Sequence, residues 1–159
     1  MSNPAYLWLT DENGSPIVGS SLVNGRVGAI ELKSLTHNVN IPADGHTGRL
    51  TGTRIHTPMM FQKEADRTTP FLYKALTTNA KLKSAVIKNY SINEAGIEVE
   101  YFNTIMENAK ILSITPDVYP GASTKTHLET ILLCYEKITW KYCDGNIIHT
   151  DQWNNLATY

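Results

Sequence analysis

Residues 134–153 read CYEKITWKYCDGNIIHTDQW. Whether this run is a cluster of reactive side chains or a piece of sheet decides what kind of protein the chain is. Asp144-Gly145 stands between KITWKY and NIIHT, two runs rich in β-branched and aromatic residues, and a turn pair in that position is a strong short-range hairpin signal. The hairpin register places His149 opposite Trp140 and Tyr142 opposite Ile147. If Thr130 to Tyr142 is one strand, Cys134 and Cys143, nine positions apart in the chain, stand about 30 Å from each other at the usual strand rise. A disulfide tolerates only about 7 Å between Cα atoms. The two cysteines therefore cannot bond to each other or share a zinc ion, and their opposite parity puts them on opposite faces. Nor does His149 lie beside Cys143, so this hairpin is not expected to make a cysteine–histidine nucleophile.

The same punctuation continues outward. AYLWL (5–9) reads as a strand closed by the turn residues DENGSP (11–16). Asn24-Gly25 between SSLV and RVGAIELKSLTH predicts a hairpin, and NEAG (93–96) between SAVIKNYSI and IEVEYFNTIMENAKILSI predicts another. One helix is expected, from Pro70 to Asn79, with Thr69 as N-cap, Pro70 at the first helical position and Asn79 ending it in a left-handed conformation. Its stripe of Leu72, Ala75 and Leu76 is narrow, so it should dock against a sheet. Between Asn40 and Pro58 runs a segment with three glycines and two prolines and no apolar periodicity. So long a connection in a small domain is usually functional or disordered, and this one is expected to be an ordered extended loop.

At 159 residues the chain has room for one domain, 1–159, with a sizeable core. Lys and Arg total 14 against 15 Asp and Glu, a net charge of -1, which gives no electrostatic excess to hold nucleic acid or an anionic membrane. No apolar run is longer than Ile131–Tyr135, far short of a membrane helix, and the N-terminus lacks the basic flank and apolar core of a signal peptide. Two cysteines do not make a disulfide framework, and a reducing compartment suits them.

No catalytic, cofactor-binding or metal-binding residue emerges. His37, His46, His56 and His127 form no i, i+4 pair and lie at no zinc-finger spacing from a cysteine. GHTGRLTG (45–52) lacks the ending of a phosphate-binding loop. Glu98 with Glu100 is an ordinary solvated strand face, and no Gly-x-Ser-x-Gly elbow exists. An unusual feature is that TILLCYEKITW (130–140) is apolar at both parities, which calls for a helix or another subunit over its second face.

Several blocks in order carry a resemblance: YLWL (6–9), GRLTGTRIHTPMMF (48–61), PFLYKALTT (70–78), EVEYFNT (98–104) and YEKITWKYCDGNIIHTDQW (135–153). With these the chain resembles the haemolysin-coregulated proteins (Hcp), tube subunits of the bacterial type VI secretion system. The resemblance implies a mainly β fold, a small antiparallel β-barrel of two sheets with one flanking helix and a long extended loop, assembling into a hexameric ring. Rings would stack into a hollow tube driven by a contractile sheath and tipped by a spike protein, with small effector proteins in the lumen. It implies no enzyme and no cofactor, assembly in the cytoplasm, and secretion to the extracellular space or a target cell without a signal peptide. No nucleic acid and no membrane insertion are expected.

By this resemblance the ring-stacking contacts fall at His46, Gly48, Arg49 and Leu50 on the long loop, and at Glu94, Ala95, Gly96 and Thr158 on the opposite ring face. Arg49 and Arg54 read first as loop arginines bonded to carbonyls or a carboxylate. Trp140, Trp153 and Tyr135 are expected as core or subunit-interface anchors. Two other readings share the fold: a free ring acting as secreted effector or effector chaperone, and a phage-type tail-tube subunit.

Overall fold

Short alternating runs form strands wherever turn residues bracket them. A computed structural model describes residues 3–153. In chain order the elements are β1 (Ala5–Thr10), β2 (Pro16–Ile17), β3 (Ile30–Leu32), β4 (Ser34–Thr36), β5 (Val39–Asn40), β6 (Ile55–His56), β7 (Met59–Glu64), α1 (Thr69–Thr77), β8 (Leu82–Ile92), β9 (Glu98–Asp117), β10 (Leu128–Cys134), β11 (Lys137–Tyr142) and β12 (Ile147–Gln152). The mainly β character and the short helix match the sequence expectation.

All strand pairings are antiparallel. The ladder path is β2-β1-β8-β9-β10-β7-β4, with β3 beside β1, β11 and β12 extending from β9, and β5-β6 forming a separate ribbon. The expected barrel is corrected here, because the ladder is open at its ends. The chain crosses from the β1 side to the β7 side through β3 and β4, which are joined by Lys33. The Lys33 N–H donates to the Gln62 carbonyl (2.7 Å). Three-residue strands either side of that bend are too short to carry a continuous seam.

The long strand β9 organises the rest. It pairs with β10 along its second half and with β11 along its first. What reads as one strand through residues 130–142 therefore turns a corner at Tyr135–Glu136. On β9 the inward positions are Thr104 and Met106 before Asn108, then Ala109 and Ile111 after it, and Asn108 takes φ 52. The partner strand slips at the same level: Ile131, Leu133 and Tyr135 face inward before the corner, and Ile138 after it. Matched slips bend both strands while keeping apolar side chains on one face. Much of the "two apolar faces" of TILLCYEKITW is thus one inner face read across a corner. The Glu136 N–H on the Glu107 carbonyl (3.1 Å) and the Asn108 amide on the Glu136 carboxylate (2.9 Å) hold the bend.

The core gathers Leu7, Leu9, Ile30, Met59, Phe61, Leu72, Ile87, Met106, Ile131, Leu133 and Ile138. The helix docks Leu72 and Ala75 into it, with Leu76 packed alongside. Asn79 ends the helix at φ 55 as expected. The N-cap is Thr68 rather than Thr69, because the Thr69 hydroxyl is engaged by Glu129 Oε1 (2.8 Å) and Lys63 Nζ (3.2 Å).

The chain does double back at Asn24-Gly25, with the Gly19 N–H on the Gly28 carbonyl (2.7 Å), the Gly28 N–H on the Ser21 carbonyl (3.0 Å) and the Ser21 N–H on the Ala29 carbonyl (3.0 Å), but the expected pair of strands does not form. Gly25, at φ 81, does make a turn, with the Arg26 N–H on the Val23 carbonyl (2.8 Å). Its flanks, however, form a loop that covers the outer face of β1. The Arg26 guanidinium lies 3.8 Å from the Tyr90 ring centroid and 5.0 Å from that of Tyr6, and its Nη1 bonds Glu98 (2.6 Å). Arg26 thereby closes a second small cluster of Tyr6, Ala29 and Tyr90. Gly19 is where this loop comes closest to the body, since a Cβ there would meet the Ala29 carbonyl oxygen at 2.5 Å. Gly19→Ala is expected to lower the urea midpoint by the equivalent of about 1–3 kcal/mol. An unchanged midpoint would show that the approach is not tight.

Candidate functional site

The segment read as an extended loop is a hairpin arm. β5 and β6 pair Val39 with His56 and Asn40 with Ile55. Further out, Ala43 bridges Leu50, and the Thr51 N–H donates to the Pro42 carbonyl (2.9 Å). Asp44 shapes the tip: its Oδ1 accepts the N–H groups of His46 (2.7 Å) and Thr47 (3.1 Å), and Gly48 closes the turn at φ 70. Those two amide donors hold the Asp44 carboxyl below its ordinary range. His46, Gly48, Arg49 and Leu50 are brought together at the end of the arm and all are exposed. Leu50, at 62% exposure, belongs to no core of this chain.

Glu94, Ala95 and Gly96 form the tip of the β8–β9 hairpin, separate from the arm. Asn93 Oδ1 accepts from the N–H of Ala95 (3.0 Å) and of Ile97 (3.0 Å), and Gly96 takes φ 76. Thr158 lies outside the described residues.

Tyr135, Trp140 and Trp153 meet at the base of the arm, beside the corner. Tyr135 is buried in the main core, and the two tryptophans pack against it. Around them sits a polar cluster that sequence reasoning missed. The Arg54 fork donates to Asp151, Nε to Oδ2 (2.5 Å) and Nη2 to Oδ1 (2.8 Å). His56 Nε2 lies 2.7 Å from Asp151 Oδ2 and its Nδ1 lies 2.6 Å from the Tyr135 hydroxyl. That hydroxyl is 2.9 Å from His37 Nε2. The His56 ring stacks near Trp153, centroids 5.7 Å apart, and Trp140, 6.4 Å. Trp140 stacks in turn on His149 at 6.1 Å, its cross-strand partner as the register predicts.

Burial alone would push the Asp151 carboxyl up, but hydrogen bonds from Arg54 and His56 outweigh it and hold it at about 2. Burial pushes the Tyr135 hydroxyl well up, helped by the Asp151 charge, so it remains a protonated donor. Burial and the neighbouring His56 hold His37 below the ordinary histidine value. Only the Arg54–carboxylate pairing was hinted at in the sequence. The histidines lie 19 positions apart and are joined by packing.

The arrangement ties the arm to β12 and to the corner at Tyr135. Both cysteines are free. Cys143 faces Glu100 Oε1 (3.9 Å), and burial together with that carboxylate pushes its thiol up, opposite to what a reactive thiolate needs. No three His, Cys, Asp or Glu among the described residues are grouped to hold a metal ion. No described helix is long and apolar enough to cross a membrane.

Comparison with known proteins matches this architecture along its length. The family model "Type VI secretion system effector, Hcp" matches residues 6–142. A "Major exported protein" of Pseudomonas aeruginosa is 30% identical, the alignment spanning 98% of each chain. Among solved structures, a variant of the Hcp1 protein from E. coli EAEC 042 is 53% identical with a TM-score of 0.88, over 96% of this chain and 99% of that one. The secreted protein Hcp3 of Pseudomonas aeruginosa is 26% identical with a TM-score of 0.77, over 97% of this chain and 100% of that one. With a family match over most of its length and a close structural relative of the same name, the chain belongs to the Hcp family of type VI secretion proteins.

Proposed function

We propose that this chain is the subunit of a type VI secretion tube: copies close into a hexameric ring, rings stack into a hollow tube, and small effector proteins travel in the lumen. The observation that carries the reading is the 53% identity with an Hcp protein across 96% of the chain, which also supports one tube domain over its length. Ring closure joins one patch to a different patch on the next copy. Strand β12 suits such a joint, because it pairs only with β11 among the described residues and leaves Ile147 and Ile148 exposed. An edge strand of this kind invites pairing.

Stacking is assigned to the arm tip, His46, Gly48, Arg49 and Leu50, against Glu94, Ala95, Gly96 and Thr158 of the next ring. The spike and contractile sheath are the partners at its end and around it, and its role is mechanical rather than enzymatic. Assembly is in the cytoplasm, and export needs no signal peptide. The family's description as an effector and the relative's name as an exported protein favour a second reading, in which rings also leave the cell as effectors or chaperones.

The test is export from cells lacking the sheath protein. The tube reading predicts that this chain disappears from the medium while remaining abundant inside. Export that continues without a sheath would overturn it.

A further inference from the structure

The hydrogen-bond chain at the arm base has links whose directions are set by how many protons it holds. Asp151 Oδ2 only accepts, so His56 Nε2, 2.7 Å away, carries a hydrogen. On the other side of that ring, Nδ1 meets the Tyr135 hydroxyl (2.6 Å), which in turn meets His37 Nε2 (2.9 Å). Tyr135 has one hydrogen to give. With His56 neutral, Tyr135 donates to its Nδ1 and accepts from His37, for whose proton the Thr57 backbone carbonyl is a second acceptor. With His56 cationic, Nδ1 donates to Tyr135, which turns its hydrogen toward His37 Nε2, and every link is still satisfied. With both imidazoles cationic, the Tyr135 oxygen is flanked by two N–H donors and its own hydrogen has no acceptor in the chain.

We propose that the chain Asp151–His56–Tyr135–His37 is an acid-sensitive latch that holds the arm to the wall, tolerating one proton and opening on the second. The members come from different elements: His37 precedes β5, His56 ends β6 on the arm, Tyr135 is at the corner and Asp151 is on β12. Losing the Tyr135 links therefore loosens the base of the arm, which Arg54 and His56 still hold to Asp151 on β12. The other titratable or charged groups facing the chain are Arg54, paired with Asp151, Cys134 beside Tyr135, and His149 beyond Trp140. Only Arg54 brings a fixed positive charge, and it lies at the carboxylate end. The His56 side chain is 1% exposed, so water does little to screen a second charge beside it.

The acid windows separate cleanly. Burial favours neutral His37, so its contribution is full above 6.5, the value of a free histidine, and is lost as pH falls below it. The Asp151 contribution is full above 3.8 and is lost only as pH falls toward about 2. Opening between those windows belongs to His37.

The consequence for stacking rests on the tube reading, since it takes the arm as the stacking element, whereas the latch belongs to a single chain. The test is amide hydrogen exchange of residues 41–57, corrected for intrinsic rates, from about pH 7.5 to about pH 5. The wild type should show about tenfold or greater loss of arm protection on acidification while β8 and β9 stay protected. In His37→Gln, whose side chain reaches Tyr135 but takes no charge, the loss should move to lower pH. In Tyr135→Phe the arm should exchange fast at every pH, with no acid step. A flat profile in the wild type, or the same acid step in His37→Gln, overturns the latch. Light scattering on the same samples separates the two ideas: an arm that opens without any change in stacking removes the stacking role and leaves the latch. Stacks that fall apart while the arm stays protected remove the latch and leave the stacking role.

Discussion

Replacing Lys63 by methionine will destabilise the fold by about 3–5 kcal/mol, the usual penalty for breaking a buried ion pair from one side. Lys63 lies on the inward face of β7 with Met59 and Phe61, and its side chain is 0% exposed. Directly across the ladder is Glu129, whose side chain is 1% exposed and whose Oε1 is 2.7 Å from Lys63 Nζ. The ammonium also meets Asp66 Oδ1 (3.2 Å), Thr69 Oγ1 (3.2 Å) and the Glu64 carbonyl (3.3 Å). It thus ties β7 and β10 to the start of α1. Among the described residues, Glu129 Oε2 has no hydrogen-bond partner, so Lys63→Met would leave a buried carboxylate with little compensation. Lys63→Met with Glu129→Leu should recover most of the loss, because an apolar pair of similar volume removes the stranded charge. Urea unfolding of the three proteins reads both values. A single variant as stable as the wild type, or a double variant no better than the single, contradicts the account.

Replacing Leu50 by aspartate should abolish ring stacking and leave the folded chain intact. Its exposure of 62% says that the chain's own core does not need it. Burying a leucine at a joint contributes about 1.5–3 kcal/mol. Substitution removes that and forces a carboxylate to be desolvated, and symmetry repeats the loss at every contact around the ring. Electron microscopy should show single rings where the wild type gives tubes, with unchanged circular dichroism. Tubes of normal length would contradict the assignment, and so would loss of the folded chain, for a different reason.

The hairpins at 93–96 and 144–145 were legible because turn residues sit between runs rich in β-branched and aromatic residues, and the pairs Trp140–His149 and Tyr142–Ile147 follow from turn length. The helix was legible from Pro70 to Asn79 because both ends carry backbone-specific residues. The corner was not. A matched one-residue slip at Asn108 and at Tyr135–Glu136 changes the parity of the core positions, and a reader of one strand sees only apolar residues on both faces. Lys63 and Glu129 were hidden for a related reason: a charge at a core parity reads as a break in the pattern until its partner across the ladder is known. The arm looked like a loop because its ladder is short and its tip depends on Asp44 side-chain bonds rather than on apolar alternation. In the histidine chain, residues 37, 56, 135 and 151 share no spacing at all.

The central claim is that this chain closes into hexameric rings. Native mass measurement by light scattering, with electron microscopy of the same sample, tests it most directly at micromolar concentration and near-physiological salt. The predicted result is a particle close to six times the 17.7 kDa of one chain, or stacks of such particles, seen end-on as rings with an open centre. A monodisperse monomer under those conditions would contradict it.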